Sequence, residues 1–233
     1  MSDGLIRWPD LGTPHGFETR HGNLENTFTQ PIRRVRQVHG NIVHFLDAAA
    51  DTSPHTAASI EERPPGDALV TSASSLPLGV ATADCVPVLL HDPVTRCIGA
   101  VHAGWRGIAA RIVPAALEVM ATHCGSRAVD CRAAIGPCVG RGVYRVGPDV
   151  LEGFASAGLP PSVFDAHAVD DTGRETALCD LAAAARWQLQ TAGLVPDAVW
   201  VADRCTATEE SRFHSYRRDG SAAGRMTAAI MLD

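Results

Sequence analysis

The sequence predicts a mixed α/β fold, a single-domain sandwich with a mixed β-sheet and outer helices. Three observations carry this. Short apolar strand-like runs crowd residues 67–103, alanine-rich stretches of helical period follow, and the two kinds intermix without regular βαβ alternation, which disfavours a doubly wound sheet.

Residues 1–40 are polar and turn-rich. They contain the compact Gly16-Phe17-Glu18-Thr19-Arg20-His21-Gly22 and the basic patch Arg33, Arg34, Arg36 ahead of Gln37-Val38-His39-Gly40. Residues 41–47 have strand character. Residues 48–66, rich in Ala, Ser, Thr and Pro, are expected to form a flexible surface loop that carries no obvious chemistry. Strands are expected at 67–72, 76–83, 86–91 and 97–103. A helix is expected over 107–124, with Pro114 either kinking it or marking its true start. The run 132–135 is a short strand ending in Gly136-Pro137. Helices are expected at 148–157 and 181–190, the second favoured by its alanines and stopped at Gly193. Strands at 198–202 and 226–232 close the chain.

Composition narrows the chemistry. A chain of 233 residues with 45% apolar side chains can bury a core without disulfides. No apolar run approaches the roughly 20 residues of a membrane helix, and the opening residues lack a basic segment followed by an apolar one, so neither membrane insertion nor secretion is expected. The 7 cysteines, an odd number without framework spacing, point to reduced thiols in a cytoplasm. All 20 basic residues are arginine. Schiff-base catalysis, pyridoxal phosphate anchoring and a P-loop lysine are therefore excluded. A net charge of −6 argues against a nucleic-acid partner, while arginines can still grip small anions two oxygens at a time.

The strongest chemical signal is Thr82-Ala83-Asp84-Cys85 followed by His102 in Ala100-Val101-His102-Ala103-Gly104-Trp105-Arg106-Gly107. The segment between them reads as a hairpin, with apolar runs flanking Asp92-Pro93. If residues 92–95 form the loop, His91 pairs with Arg96, and counting back sets Cys85 opposite His102, where facing Cβ atoms lie roughly 4.5–5.5 Å apart. That suits two ligands of one metal. A two-residue error in the loop would leave them diagonal on one face, whereas a one-residue error would separate them. His39, before a strand, can reach in from its loop. Two imidazoles and a thiolate would hold zinc with a fourth position free, although a buried cysteine and a strand histidine are also common as plain core residues. Asp84 can act on substrate, orient a ligand or cap a turn. Arg106, between strand and helix, is placed for an anion. Tyr216 and Arg217, in Phe213-His214-Ser215-Tyr216-Arg217-Arg218-Asp219-Gly220, form a loop rich in hydrogen-bonding groups.

These motifs, with Ala134-Ile135-Gly136-Pro137-Cys138 and Asp203-Arg204-Cys205-Thr206, together resemble the bacterial polyphenol oxidase or laccase-domain family, also known as peptidoglycan editing factor and viewed as purine nucleoside phosphorylases. The resemblance runs in the family's order from about residue 16 to the end. It implies one such domain over 1–233 and a zinc enzyme that splits adenosine, inosine and methylthioadenosine with phosphate, with adenosine deamination as a further activity. Its metal ligands fall on His39, Cys85 and His102, the same residues that the hairpin and loop arguments select. Arg106 and Arg217, with Arg20, are the expected phosphate ligands, and Tyr216 joins them at the substrate. Nucleoside and phosphate are the expected partners of a cytoplasmic monomer or small homo-oligomer. Copper is the less favoured metal, since a copper relay needs more ligands than this cluster supplies. Other readings are a cysteine hydrolase with Cys85 as nucleophile and His102 as base, and a metal-binding scaffold without catalysis. Two departures stand out. Only residues 23–36 separate the first motif from Gln37, which would rebuild part of the substrate rim, and Tyr144-Arg145-Val146-Gly147 carries arginine where the family commonly has glutamate.

Overall fold

The hairpin expected around residues 86–103 forms the middle of a six-stranded sheet. The computed structural model describes residues 4–47, 53–57 and 59–233. Its first half runs β1 (Leu5–Ile6), β2 (His15–Glu18), β3 (Val43–Phe45), β4 (Ala68–Thr71), β5 (Leu78–Thr82), β6 (Val86–Asp92) and β7 (Cys97–Ala103). Then come α1 (Trp105–Ala109), α2 (Ile112–Cys124), β8 (Arg132–Ile135), β9 (Arg145–Val146), α3 (Pro148–Ser156), β10 (Phe164–Val169) and β11 (Glu175–Cys179). The chain closes with α4 (Leu181–Thr191), β12 (Val199–Val201), α5 (Tyr216–Asp219) and β13 (Met226–Ile230). The large sheet has the order β12-β8-β6-β7-β4-β3, beside sheets β1-β2-β13-β5 and β10-β11-β9. β12 runs parallel to β8 and β3 to β4, while the other pairs are antiparallel, so the sheet is mixed as expected.

β6 and β7 are buried along their whole length, which is why they read as continuous apolar runs rather than alternating ones. Successive side chains serve two cores. Val88, Leu90 and Val101 pack with Ile112, Ala116 and Met120 of α2 and with Ala184 and Leu189 of α4. Leu89, Ile98 and Ala100 face Phe17, Leu78, Val80, Ala228 and Ile230 of the four-stranded sheet. The layers are therefore small sheet, large sheet and helices, the sandwich with outer helices that the sequence predicts.

Two local expectations are corrected. The hairpin pairs Asp92 with Cys97 and Pro87 with His102, two residues out from the expected register. The cause is Asp92, whose Oδ1 accepts from the Val94 and Thr95 N–H groups while Oδ2 accepts from Thr95 Oγ1, a side-chain-built turn that shifts the loop to residues 93–96. Arg96 completes it at φ 52°. Cys85 thus lies diagonal to His102 rather than opposite, still on one face. The helix expected over 107–124 is two helices, broken where Arg111 takes a left-handed φ of 64°. Pro114 falls in the first turn of α2, where its missing N–H costs nothing, so it marks the start.

Of the expected loop 48–66, residues 48–52 and 58 lie outside the described residues. The rest includes a 3₁₀ turn at Ser53–Thr56 and a bridge between Arg36 and Pro65. Among the described residues no helix is long and apolar enough to cross a membrane.

Candidate metal centre

The parity that turns Ile98 and Ala100 toward the four-stranded sheet turns His102 the same way, near the end of β7. Asp67, just ahead of β4, stands beside it, and the His102 N–H donates to the Asp67 carbonyl at 2.7 Å. The side chains also meet, with His102 Nδ1 donating to Asp67 Oδ1 at 2.8 Å and both residues buried. The same carboxylate accepts the backbone N–H groups of Val38 (3.3 Å), His39 (2.9 Å) and Gly40 (2.7 Å). These bonds hold the turn in which His39 adopts φ 58°, a conformation unfavourable for a non-glycine residue and sustained here by its surroundings. One carboxylate therefore aims both histidines. By accepting the Nδ1–H of His102 it leaves Nε2 as the lone-pair donor.

Cys85 precedes β6 and completes the cluster: the donor atoms of His39, Cys85 and His102 all lie within 4.8 Å of one another. Metal bonds of about 2.0–2.3 Å for nitrogen and sulfur donors place two ligands of one ion roughly 3.5–4 Å apart, so a small contraction closes the set around an ion. Gly104 makes room for it. A Cβ there would sit 3.0 Å from Cys85 Sγ and 3.1 Å from His39 Cδ2, although its φ of −73° suits any residue. Gly104→Ala is therefore expected to weaken metal affinity by about tenfold or more with the far-ultraviolet circular dichroism unchanged, measured by chelator competition. Wild-type affinity would refute this packing argument.

Without an ion the three groups polarise one another. Burial pushes the Cys85 thiol up, but the His102 and His39 imidazoles facing it outweigh that and bring it down to about 6. Burial likewise disfavours charged His102, yet Asp67 and the Cys85 sulfur raise it to about 9. Both values describe one thiolate–imidazolium pair. Burial pushes the Asp67 carboxyl up, but His102 and the Gly40 and His39 amides outweigh it and keep the group below its usual range.

Asp84, just before Cys85 in the chain, takes φ 93°. It accepts from Thr206 Oγ1 (2.5 Å), Ser215 Oγ (3.0 Å) and the Arg217 N–H (2.5 Å), so it fastens the cysteine turn to the start of α5. The cluster opens into a cavity of about 860 Å³ lined by Arg34, Arg63, Arg106, Arg217 and Arg225, with Gln37, Trp105, Tyr144 and Tyr216 between them. Two of these arginines are set by aromatic rings. The Arg106 guanidinium lies 4.3 Å from the Trp105 ring centre, and that of Arg217 lies 4.8 Å from Tyr144. Burial raises the Tyr144 hydroxyl to about 12 and keeps it a neutral donor.

His39, Cys85, His102, Asp84, Arg106, Tyr216 and Arg217 thus share one cavity. Arg20 is not among the lining residues. Its guanidinium donates to the Glu210 carbonyl at 2.7 Å and faces His214 at 3.5 Å. Arg145 also points elsewhere, donating to the Ala166 carbonyl and Thr176 Oγ1, and only its backbone oxygen touches the site region, by accepting from Arg217. The short segment 23–36 still delivers Arg34 to the cavity, held by Glu25 at 2.6 Å. Sequence reasoning missed Asp67, Tyr144 and Arg63. The last lies in the segment 48–66, expected to carry no obvious chemistry, from which Ile60 and Arg63 line the cavity.

The chain is similar to known proteins in sequence and in fold. The family described as multi-copper polyphenol oxidoreductase laccase matches residues 18–233. A protein of Deinococcus radiodurans named purine nucleoside phosphorylase is 38% identical over 98% of this chain and 92% of its own length. Adenosine deaminase RL5, from an unknown prokaryotic organism, is 35% identical over 70% of this chain and 61% of its own length. The crystal structure of YlmD from Geobacillus stearothermophilus covers 100% of this chain and 97% of its own, with TM-score 0.86 and 28% identity. That of the Bacillus licheniformis hypothetical protein YfiH has TM-score 0.87 at 24% identity, over 100% of this chain and 97% of its own, and shows the shared fold. By its matched span, its relatives and its fold, the chain belongs to the multi-copper polyphenol oxidoreductase laccase family.

Proposed function

We propose that the protein is a zinc-dependent purine nucleoside phosphorylase of the cytoplasm, acting on adenosine, inosine and methylthioadenosine, with adenosine deamination as a further activity of the same cavity. The observation that carries this is a His39–Cys85–His102 donor set opening into a cavity lined by five arginines, in a chain whose relatives are named for those two activities. Among the described residues this is one cluster of three donors, enough for one ion and too few for a copper relay.

His39, Cys85 and His102 would hold a zinc ion, which would supply Lewis acidity there. Arg106 and Arg217 grip inorganic phosphate, each guanidinium offering paired donors from a ring-supported position. Phosphorolysis makes a bond from a phosphate oxygen to the sugar C1′ and breaks the C1′–N bond, so positive charge grows on the sugar and negative charge on the base. A held anion beside the sugar lowers that barrier. Tyr216 lines the cavity, and Asp84 holds the backbone of Arg217 in place. Arg20, outside the lining, has no part in this arrangement.

The test is purified protein of known zinc content, incubated with inosine with and without phosphate while hypoxanthine and ribose 1-phosphate are followed. Phosphate-dependent release of both supports the proposal. Full zinc occupancy with no turnover across a nucleoside panel would make the protein a binding scaffold.

A second reading draws on the thiolate–imidazolium pair of the metal-free protein, the arrangement a cysteine hydrolase uses, with Cys85 as nucleophile and His102 as base. Because a lowered thiol pKa makes the reactive thiolate persist to lower pH, alkylation of Cys85 in metal-free protein is expected to rise through a midpoint near pH 6. A midpoint near that of an ordinary thiol would contradict the pair. Turnover on amide substrates by the metal-free form, lost on alkylation, would favour the hydrolase.

A further inference from the structure

Away from the metal centre, Cys97 opens β7 and Cys124 closes α2, and their Sγ atoms lie 2.6 Å apart. That is well inside non-bonded contact and only about 0.6 Å beyond a disulfide bond of about 2.05 Å. The approach is built from both sides. Thr95 Oγ1 in the β6–β7 turn meets Ser126 Oγ, just after α2, at 2.7 Å and donates to Asp92 Oδ2 at 2.7 Å. Gly125, at φ 72°, ends α2 and folds the chain back to make that contact. Cys97 is fully buried while Cys124 is partly exposed, so a reagent from solvent meets Cys124 first.

We propose that Cys97 and Cys124 form a reversible disulfide, closed by a small-molecule disulfide such as oxidised glutathione. The Cys124 thiolate attacks one sulfur of the reagent, whose S–S bond breaks and releases one thiolate, leaving a mixed disulfide. Cys97 then loses its proton to the departing thiolate and attacks the Cys124 sulfur, expelling the second thiol. Two protein thiols are oxidised and one external disulfide is reduced to two thiols. Burial and the Cys124 sulfur hold the Cys97 thiol far above its usual range, which slows the second step and matches a pair that closes under sustained oxidation. The bond ties α2 to the far end of the strand that carries His102, so it braces the frame without moving the metal donors.

The experiment is incubation of the metal-loaded full chain in buffers of rising oxidised-to-reduced glutathione ratio, with alkylation, peptide mass spectrometry and thermal melting. Support is a linked peptide joining residues 97 and 124, loss of two alkylatable thiols, and a rise in Tm of roughly 5–15 °C that dithiothreitol reverses. All three are expected to vanish in Cys124→Ser and, independently, in Cys97→Ala. The proposal is overturned if both residues stay alkylatable at the most oxidising ratio, or if Cys124 collects glutathione without going on to the linked peptide.

Discussion

His102→Ala is expected to drop zinc from about one ion per chain to near zero and to cut phosphorolysis of inosine by more than about a hundredfold. The imidazole is held from both ends, by Asp67 at Nδ1 and by the Cys85 thiol on its other side. It is also 2% exposed, and deleting it leaves the Asp67 carboxylate without its charged partner, at a cost of about 3–5 kcal/mol. Activity must therefore be read beside a melting curve. If His102→Ala melts too low to assay, Cys85→Ser keeps the volume and still removes the soft ligand. Metal content by mass spectrometry and hypoxanthine release by absorbance are the measurements, and unchanged turnover in a folded variant would dismiss a catalytic metal.

Asp67→Asn is the second large effect. The substitution conserves shape, but Asp67 accepts four hydrogen bonds, from His102 and from three successive amides around His39. An amide nitrogen facing any of these donors repels it. We expect zinc affinity to fall by about 10–100-fold and stability by about 2 kcal/mol or more. Saturating zinc should restore much of kcat, because the ligands themselves remain, whereas a group acting directly on substrate would not be rescued. Chelator competition and kcat at several zinc concentrations distinguish the two. An unaltered zinc affinity would show that the carboxylate does not orient the ligands.

Much of this was written plainly in the chain. β7 and β8 match their expected bounds, and α3 and α4 fall within a residue of theirs, because apolar runs and alanine-rich period are local signals. The three donors were legible because period-two geometry keeps Cys85 and His102 on one face even when the hairpin register slips by two. What was hidden depends on distant partners. β1 and β2 complete a sheet only by pairing with β13 at the other end of the chain. β10 is exposed along nearly its whole length, so no apolar alternation announces it, although Asp170 and Gly173 build its turn. Asp67 looked like an ordinary strand opener. Its role exists only once β4 lies against β7 and the His39 turn folds over both. Arg63 is local loop composition until the bridge from Arg36 to Pro65 swings its segment to the cavity.

Asp84 adjoins the sulfur donor in sequence and grips the amide of Arg217 in space. Any coupling carried through this residue would act by the same factor in both directions. If the proposed anion is held more tightly with metal in place, the metal is held more tightly by that same factor while the anion is seated.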